Sequence, residues 1–230
     1  MTEPTGVPRL PAHAPPRALG AALLVVAVAL VAAAAVAQPR EARDVTVLPL
    51  SLTVARHEDA PVVDDDWLRE QVANANALFR PHGVGFRVVE RHAMDASHAR
   101  LENRRDRHAL GHLMNLQRVD CFFVLSLRDV DDPSRYRQGV HWRPRGDDFP
   151  RRAHFVIVSS IAGPTVLAHE LGHYFRNGHS DTPGNIMSYE RGDGPPFFDR
   201  QQGRRIRFEL RRYLRRGELV PADEIASGDD

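Results

Sequence analysis

The chain has no lysine and only one cysteine, Cys121. A lone cysteine cannot close an internal disulfide, so the fold must be held by a packed core and by any metal the chain binds. Cys121 sits in the apolar run Val119-Asp120-Cys121-Phe122-Phe123-Val124-Leu125, where a buried core role is expected. The net charge is small: 31 arginines face 30 acidic residues, a formal +1. Residues 1–37 hold Arg9, Arg17 and Glu3, which leaves the remainder formally neutral. No global field therefore draws the chain to nucleic acid or to a membrane surface.

The sequence has one long hydrophobic run. Arg9 and Arg17 precede an uncharged stretch from Leu19 to Ala37, and Ala35-Val36-Ala37 has the small-x-small form of a signal-peptidase site. Residues 1–37 thus read as a signal peptide cleaved before Gln38, or as an N-terminal membrane anchor, since the run approaches the ~20 residues of a bilayer span. Either way the chain is expected to be exported: secreted or periplasmic if cleaved, held at a membrane by residues 19–37 if not. Residues 38–230 suffice for a single domain with one core.

Within that domain the apolar spacing alternates between strand and helix. Asp44 to Val54 reads as a strand buried on both faces, followed by a helix capped at Asp64-Asp65-Asp66 with Leu68, Val72, Ala75 and Phe79 on one face. Val84 to Glu90 is a second strand, so the pair should lie parallel with the helix as crossover. Further strands are expected at Val119 to Leu127, Gly139 to Trp142 and His154 to Ser159. The last leads through Gly163-Pro164, with Pro164 in the first turn, into a helix bearing His169. A final helix, Asp199 to Arg216, places Ile206, Leu210, Tyr213 and Leu214 on one stripe.

The chemistry concentrates in His169-Glu170-Leu171-Gly172-His173-Tyr174-Phe175-Arg176-Asn177-Gly178-His179, followed by Asn185-Ile186-Met187-Ser188-Tyr189. Histidines four apart leave one face of a helix together and can close on one zinc ion at about 2.0–2.1 Å. Glu170 lies beside that pair, free to move a proton without occupying the metal. On an unbroken helix His179 would stand roughly 15 Å along the axis from His169, too far to share an ion. The helix must stop first, and Asn177-Gly178 offers residues that accept a left-handed helix end.

This segment resembles the metzincin clan of zinc endopeptidases, whose pattern is H-E-x-x-H-x-x-G-x-x-H with a Met-turn, and the step from His179 to Met187 is similar to that of the matrixins. The resemblance implies His169, His173 and His179 as Zn2+ ligands, Glu170 as general base, Met187 as the apolar floor of the site, and Tyr189 as a phenol near the metal. It also implies an α/β fold of the α+β kind: a twisted, mostly parallel five-stranded sheet with an active-site helix and a C-terminal helix. The short strand Gly139-Val140-His141-Trp142 becomes the edge along which an extended peptide or protein substrate can add. One departure stands out, because Arg176 fills the family's glycine position while the glycine appears at Gly178.

Other clusters are weaker. His108-Ala109-Leu110-Gly111-His112 copies the spacing of the first two ligands but has Ala109 where the base belongs, so it reads as a helix surface. Asp129, Asp131 and Asp132 form an acidic loop that matches no defined calcium pattern. Glu190 is the alternative third ligand, in the manner of proteases with a downstream glutamate. Two functions remain open: an exported zinc endopeptidase, or a zinc-binding surface module with weakened catalysis. An intact Glu170 favours the first, since a module that only binds zinc has no use for a base beside it.

Overall fold

The structure is a computed structural model and describes residues 44–150 and 152–225; the expected signal or anchor segment, residues 1–37, lies outside them. The first strand, β1 (Thr46–His57), pairs parallel with β3 (Val84–Met94) on one side and with β5 (Val119–Val124) on the other. Next come β8 (Phe155–Ser159), parallel to β5, and β7 (Gly139–Trp142), antiparallel at the edge. The five-strand order is β3-β1-β5-β8-β7, and the two-residue β2 (Ala60–Pro61) turns back on the end of β1. This is the expected mostly parallel sheet with an antiparallel edge.

The near-continuous apolar runs of β1, β5 and β8 follow from burial on both faces. In β5, Val119, Cys121 and Phe123 join one core, while Phe122 and Val124 join a second. In β8, Val156 and Val158 face the first core, and Phe155 and Ile157 the second. The first core is covered by helices α1 (Asp65–Phe79), α3 (Val166–Tyr174) and α4 (Arg200–Arg215). The second is closed by β4 (Arg100–Leu101), β6 (Ser126–Leu127) and the region of α2 (Arg104–Ala109). Cys121 is buried in the first core, as expected.

Local signals account for most boundaries. Asp64 caps α1 by accepting from the Trp67 amide, and Asp199 with Gln202 forms a capping box at the start of α4. The strand expected from Val119 to Leu127 stops at Val124, and Ser126–Leu127 pairs with Arg100–Leu101 instead. Pro164 lies in the turn ahead of α3, outside its first turn; Thr165 is the N-cap and makes no side-chain capping bond. Gln71 of α1 does that work. Its Nε2 donates to Gly163 O at 2.9 Å and its Oε1 accepts from Leu167 N at 3.1 Å. This buried amide ties α1 to the start of the helix that carries the site.

Candidate metal centre and peptide cleft

α3 presents His169 and His173 one turn apart and ends in a Schellman turn. Arg176 N donates to His173 O at 2.8 Å and Asn177 N donates to Gly172 O at 3.0 Å. The left-handed residue that such an ending requires is Arg176, with φ of 63°. This corrects the expectation that Asn177-Gly178 supplies it, because neither residue has a positive φ. The arginine at the glycine position of the metzincin pattern thus holds a left-handed backbone, which glycine adopts freely. The chain then reverses and brings His179 to the first two histidines.

The ligand atoms of His169, His173 and His179 lie within 4.8 Å of one another, and among the described residues no other such metal-holding group forms. Glu190 borders the cleft but is not part of this group. His169 Nδ1 donates to Ile186 O at 2.7 Å and His173 Nδ1 donates to Asn177 O at 2.8 Å. A carbonyl only accepts, so the proton resides on Nδ1 in both rings and each Nε2 presents a lone pair. His173 Nε2 and His179 Nε2 face each other across 3.1 Å. Two nitrogens bound at about 2.0–2.1 Å to one tetrahedral zinc would lie about 3.3 Å apart, so the spacing fits the ion. Burial pushes the His173 imidazole down to about 4, which disfavours a proton and leaves the ring ready for a cation.

The Met-turn underlies the site in two ways. Its Ile186 carbonyl orients His169, and Met187 is buried against α3. A Cβ at Gly172 would meet Met187 Sδ at 2.3 Å, so the helix needs a glycine there. Asn185 and Gln202 hold the turn to α4 through reciprocal amide bonds of 2.8 and 3.1 Å, and Asn185 Oδ1 also accepts from Met187 N at 2.9 Å. Tyr189 OH lies 3.0 Å from His179 Nε2 and is 73 % exposed.

Glu170 is 5 % exposed and lies under β7. Burial pushes its carboxyl up to about 8, against the His141 backbone N–H that it accepts and the charge of Arg137, both of which lower it. His141 itself turns inward, with Nε2 2.8 Å from His154 Nδ1, and His154 stacks on Tyr174 at 3.9 Å. Burial drives both histidines down, His141 to about 3 and His154 to about 2, so this pair is a neutral structural contact. Around the site runs an open cleft of about 1140 Å3, bordered by β7, α3, the Met-turn and the loop after it.

The remaining clusters serve structure. His108 accepts from Trp142 Nε1 at 3.1 Å, and His112 packs on Phe149 at 4.8 Å. Asp129 pairs with Arg137 at 2.6 Å and Asp131 with Arg104 at 2.5 Å, while Asp132 accepts from Ser134. Three residues that shape the site carry no chemical signature: Gln71, Asn185 and Gln202 are amides on otherwise ordinary elements. The Asp199/Gln202 spacing of a capping box was the one available hint.

No protein-family profile and no curated relative matches the sequence. Among solved structures, the fold is that of zinc metalloproteinases of the metzincin type. It is similar to mature mirolysin from Tannerella forsythia in complex with a cleaved peptide, at 14% identity and a TM-score of 0.59 over 79% of this chain and 98% of that one. It is also similar to metalloproteinase-II from Bacteroides fragilis, at 15% identity and a TM-score of 0.50 over 74% of this chain. The match spans 55% of the length of metalloproteinase-II.

Proposed function

We propose that the chain is an exported zinc endopeptidase, matrixin-like in its ligand and Met-turn spacing, with His169, His173 and His179 as ligands and Glu170 as general base. The observation that carries this reading is the three-histidine cluster with a buried carboxylate beside it. Bound zinc would supply a Lewis acid that polarises water and the substrate carbonyl. The chain's own residues do the rest. The outer edge of β7 offers backbone groups on which an extended peptide can add as a strand, which brings the scissile bond past Glu170. Glu170 takes the proton of the attacking water and returns it to the leaving amine; a zinc cation beside it would favour the ionised carboxylate that this role requires, against the burial that raises it. The Tyr189 hydroxyl donates to the carbonyl oxygen as negative charge develops there. The Nδ1–H bonds to Ile186 O and Asn177 O keep His169 and His173 from reorienting during turnover.

Glu170→Gln tests the assignment. It should keep one zinc per chain by elemental analysis and lose about a hundredfold or more of peptide turnover. Undiminished cleavage rejects Glu170 as base, and an absence of cleavage in the unaltered, zinc-loaded chain favours the weakened binding module. Replacing His179 with Ala should abolish tight zinc binding while Glu190→Ala should not; the reverse ranking assigns the third ligand to Glu190. Export is tested by N-terminal sequencing of the product. A start at Gln38 supports a cleaved signal, and an intact chain extractable only with detergent supports an anchor.

A further inference from the structure

The cleft is charged although the chain is not. Six arginines border it, Arg135, Arg137, Arg143, Arg176, Arg191 and Arg205, against two carboxylates, Glu170 and Glu190. Over the whole sequence the ratio is 31 to 30, so the imbalance is local. Arg137 is neutralised by Asp129 at 2.6 Å. Among the described residues the other five enter no ion pair. Glu170 is buried and committed to the site, so Glu190 is the one exposed acid bordering the cleft.

Arg176 adds an independent observation. It holds a left-handed backbone at φ 63°, a conformation that costs an L side chain and that glycine adopts freely. Arg176 is exposed, and among the described residues its guanidinium enters no hydrogen bond or ion pair that would offset that cost. The helix ending imposes this backbone, and left-handed non-glycine residues of this kind cluster at functional sites. Arg205 Nη1 donates to Arg176 O at 3.0 Å, which brings a second guanidinium to the same turn. Arg143 directly follows β7 and borders the same cleft as Arg176 and Arg205.

We infer that the cleft selects acidic peptides: extended segments with Asp or Glu side chains flanking the scissile bond, read by Arg143 at the end of β7 and by Arg176 with Arg205 at the turn into His179. The inference rests on the protease reading above for the position of the scissile bond, and on the arginine geometry for the charge. A peptide is favoured over a nucleic acid because among the described residues no strand pairs with the outer edge of β7, where a polypeptide backbone can add. Guanidinium groups form forked hydrogen bonds with carboxylates, which makes unpaired arginines suited to this task.

The test uses the full chain loaded with zinc and two peptide sets that differ only by Glu and Asp against Gln and Asn at the flanking positions. At low salt the acidic set should be cleaved with roughly tenfold higher kcat/KM, and the advantage should shrink toward ~1 M salt as screening grows. Within Arg176→Gln, and further in the double variant with Arg143→Gln, the ratio between the sets should fall toward unity. Equal or better cleavage of the neutral set by the unaltered chain overturns the inference and leaves the protease intact. A second arm measures binding of the same fluorescent peptides to Glu170→Gln, which needs no turnover. Acid-selective binding that depends on Arg176, without cleavage by the unaltered chain, upholds the charge reading and rejects the protease. Tighter binding of a single-stranded oligonucleotide than of the acidic peptide, lost in Arg176→Gln, overturns it in favour of nucleic acid.

Discussion

Gly139 of β7 lies directly over Glu170: a Cβ placed on it would stand 2.8 Å from Glu170 Cγ and 3.0 Å from Oε1, as well as 2.7 Å from Val166 Cγ1. The edge strand and the active-site helix therefore approach each other as closely as a bare backbone allows. The hydrogen bond from the His141 amide reaches Glu170 in that same approach. The glycine looks like an unremarkable strand residue in the sequence, yet it decides where the carboxylate can be.

Gly139→Ala should therefore displace Glu170 without touching the histidines. The expected result is one zinc per chain by elemental analysis, with kcat/KM for peptide cleavage lower by about a hundredfold, the scale of a 1 Å misplacement. Overpacking should also cost about 1–3 kcal/mol in urea unfolding. A variant with native turnover would mean that Glu170 is not confined by β7.

Arg176 and Gly178 give a paired prediction on stability. Arg176→Gly relieves a left-handed conformation that costs an L residue about 1–2 kcal/mol, against about 0.5–1 kcal/mol of added chain entropy in the unfolded state. Thermal melting should show an unchanged or higher midpoint. Gly178 has no positive φ and nothing within 4 Å of a Cβ, so Gly178→Ala should be neutral or mildly stabilising. A clear loss of stability in Gly178→Ala would put the left-handed residue at Gly178 after all.

Much of this was legible in the residues. Two-sided burial makes β1, β5 and β8 read as apolar runs, and side-chain caps mark the starts of α1 and α4, so the order of elements and the parallel sheet follow from local pattern. The site was legible because helical spacing and a compulsory break bring His169, His173 and His179 together in one short segment. What was hidden depends on contacts distant in sequence. Gln71 caps a helix 96 residues away, and no local spacing announces that. The place of the left-handed residue was misread because glycine propensity pointed to Gly178, whereas the hydrogen bonds to Gly172 and His173 count residues from the helix end and select Arg176. The arginines of the cleft come from the two flanks of β7, the turn after α3, α4 and the loop after the Met-turn, so their convergence could be seen only in the fold.

The Gln71 amide gives a stability prediction of its own. It is fully buried, and Gln71→Leu would keep the volume while leaving the Leu167 N–H without its side-chain acceptor. The expected loss is about 1–3 kcal/mol, read as a lower urea midpoint with an unchanged slope. Because the affected turn starts the helix bearing His169 and His173, zinc affinity should fall as well. A midpoint equal to that of the unaltered chain would show that water or a 3-10 shift satisfies the helix start without Gln71.

Acid should destabilise the fold through His154. Its folded pKa is pushed down to about 2 by burial first and then by the charges of His141, Arg143, Arg176 and Arg212, against 6.5 for a free imidazole. Below pH ~6.5 the unfolded chain takes up a proton that the folded chain refuses, so this stabilisation is complete above that pH and is lost as pH falls toward about 2, by about 1.4 kcal/mol per pH unit. Glu170 and Asp120, raised by burial to about 8 and about 7, work with the opposite sign, which makes the total pH profile of one protein a poor guide. The difference between the unaltered chain and His154→Gln removes those shared contributions. Urea unfolding followed from about pH 7 down to about pH 4 should show the gap between the two proteins narrowing, or reversing, as the native imidazole loses its advantage. Parallel profiles would mean that folding leaves the His154 pKa unchanged, and below pH ~6.5 the 2.8 Å contact with His141 would then be a charged hydrogen bond in place of a neutral one.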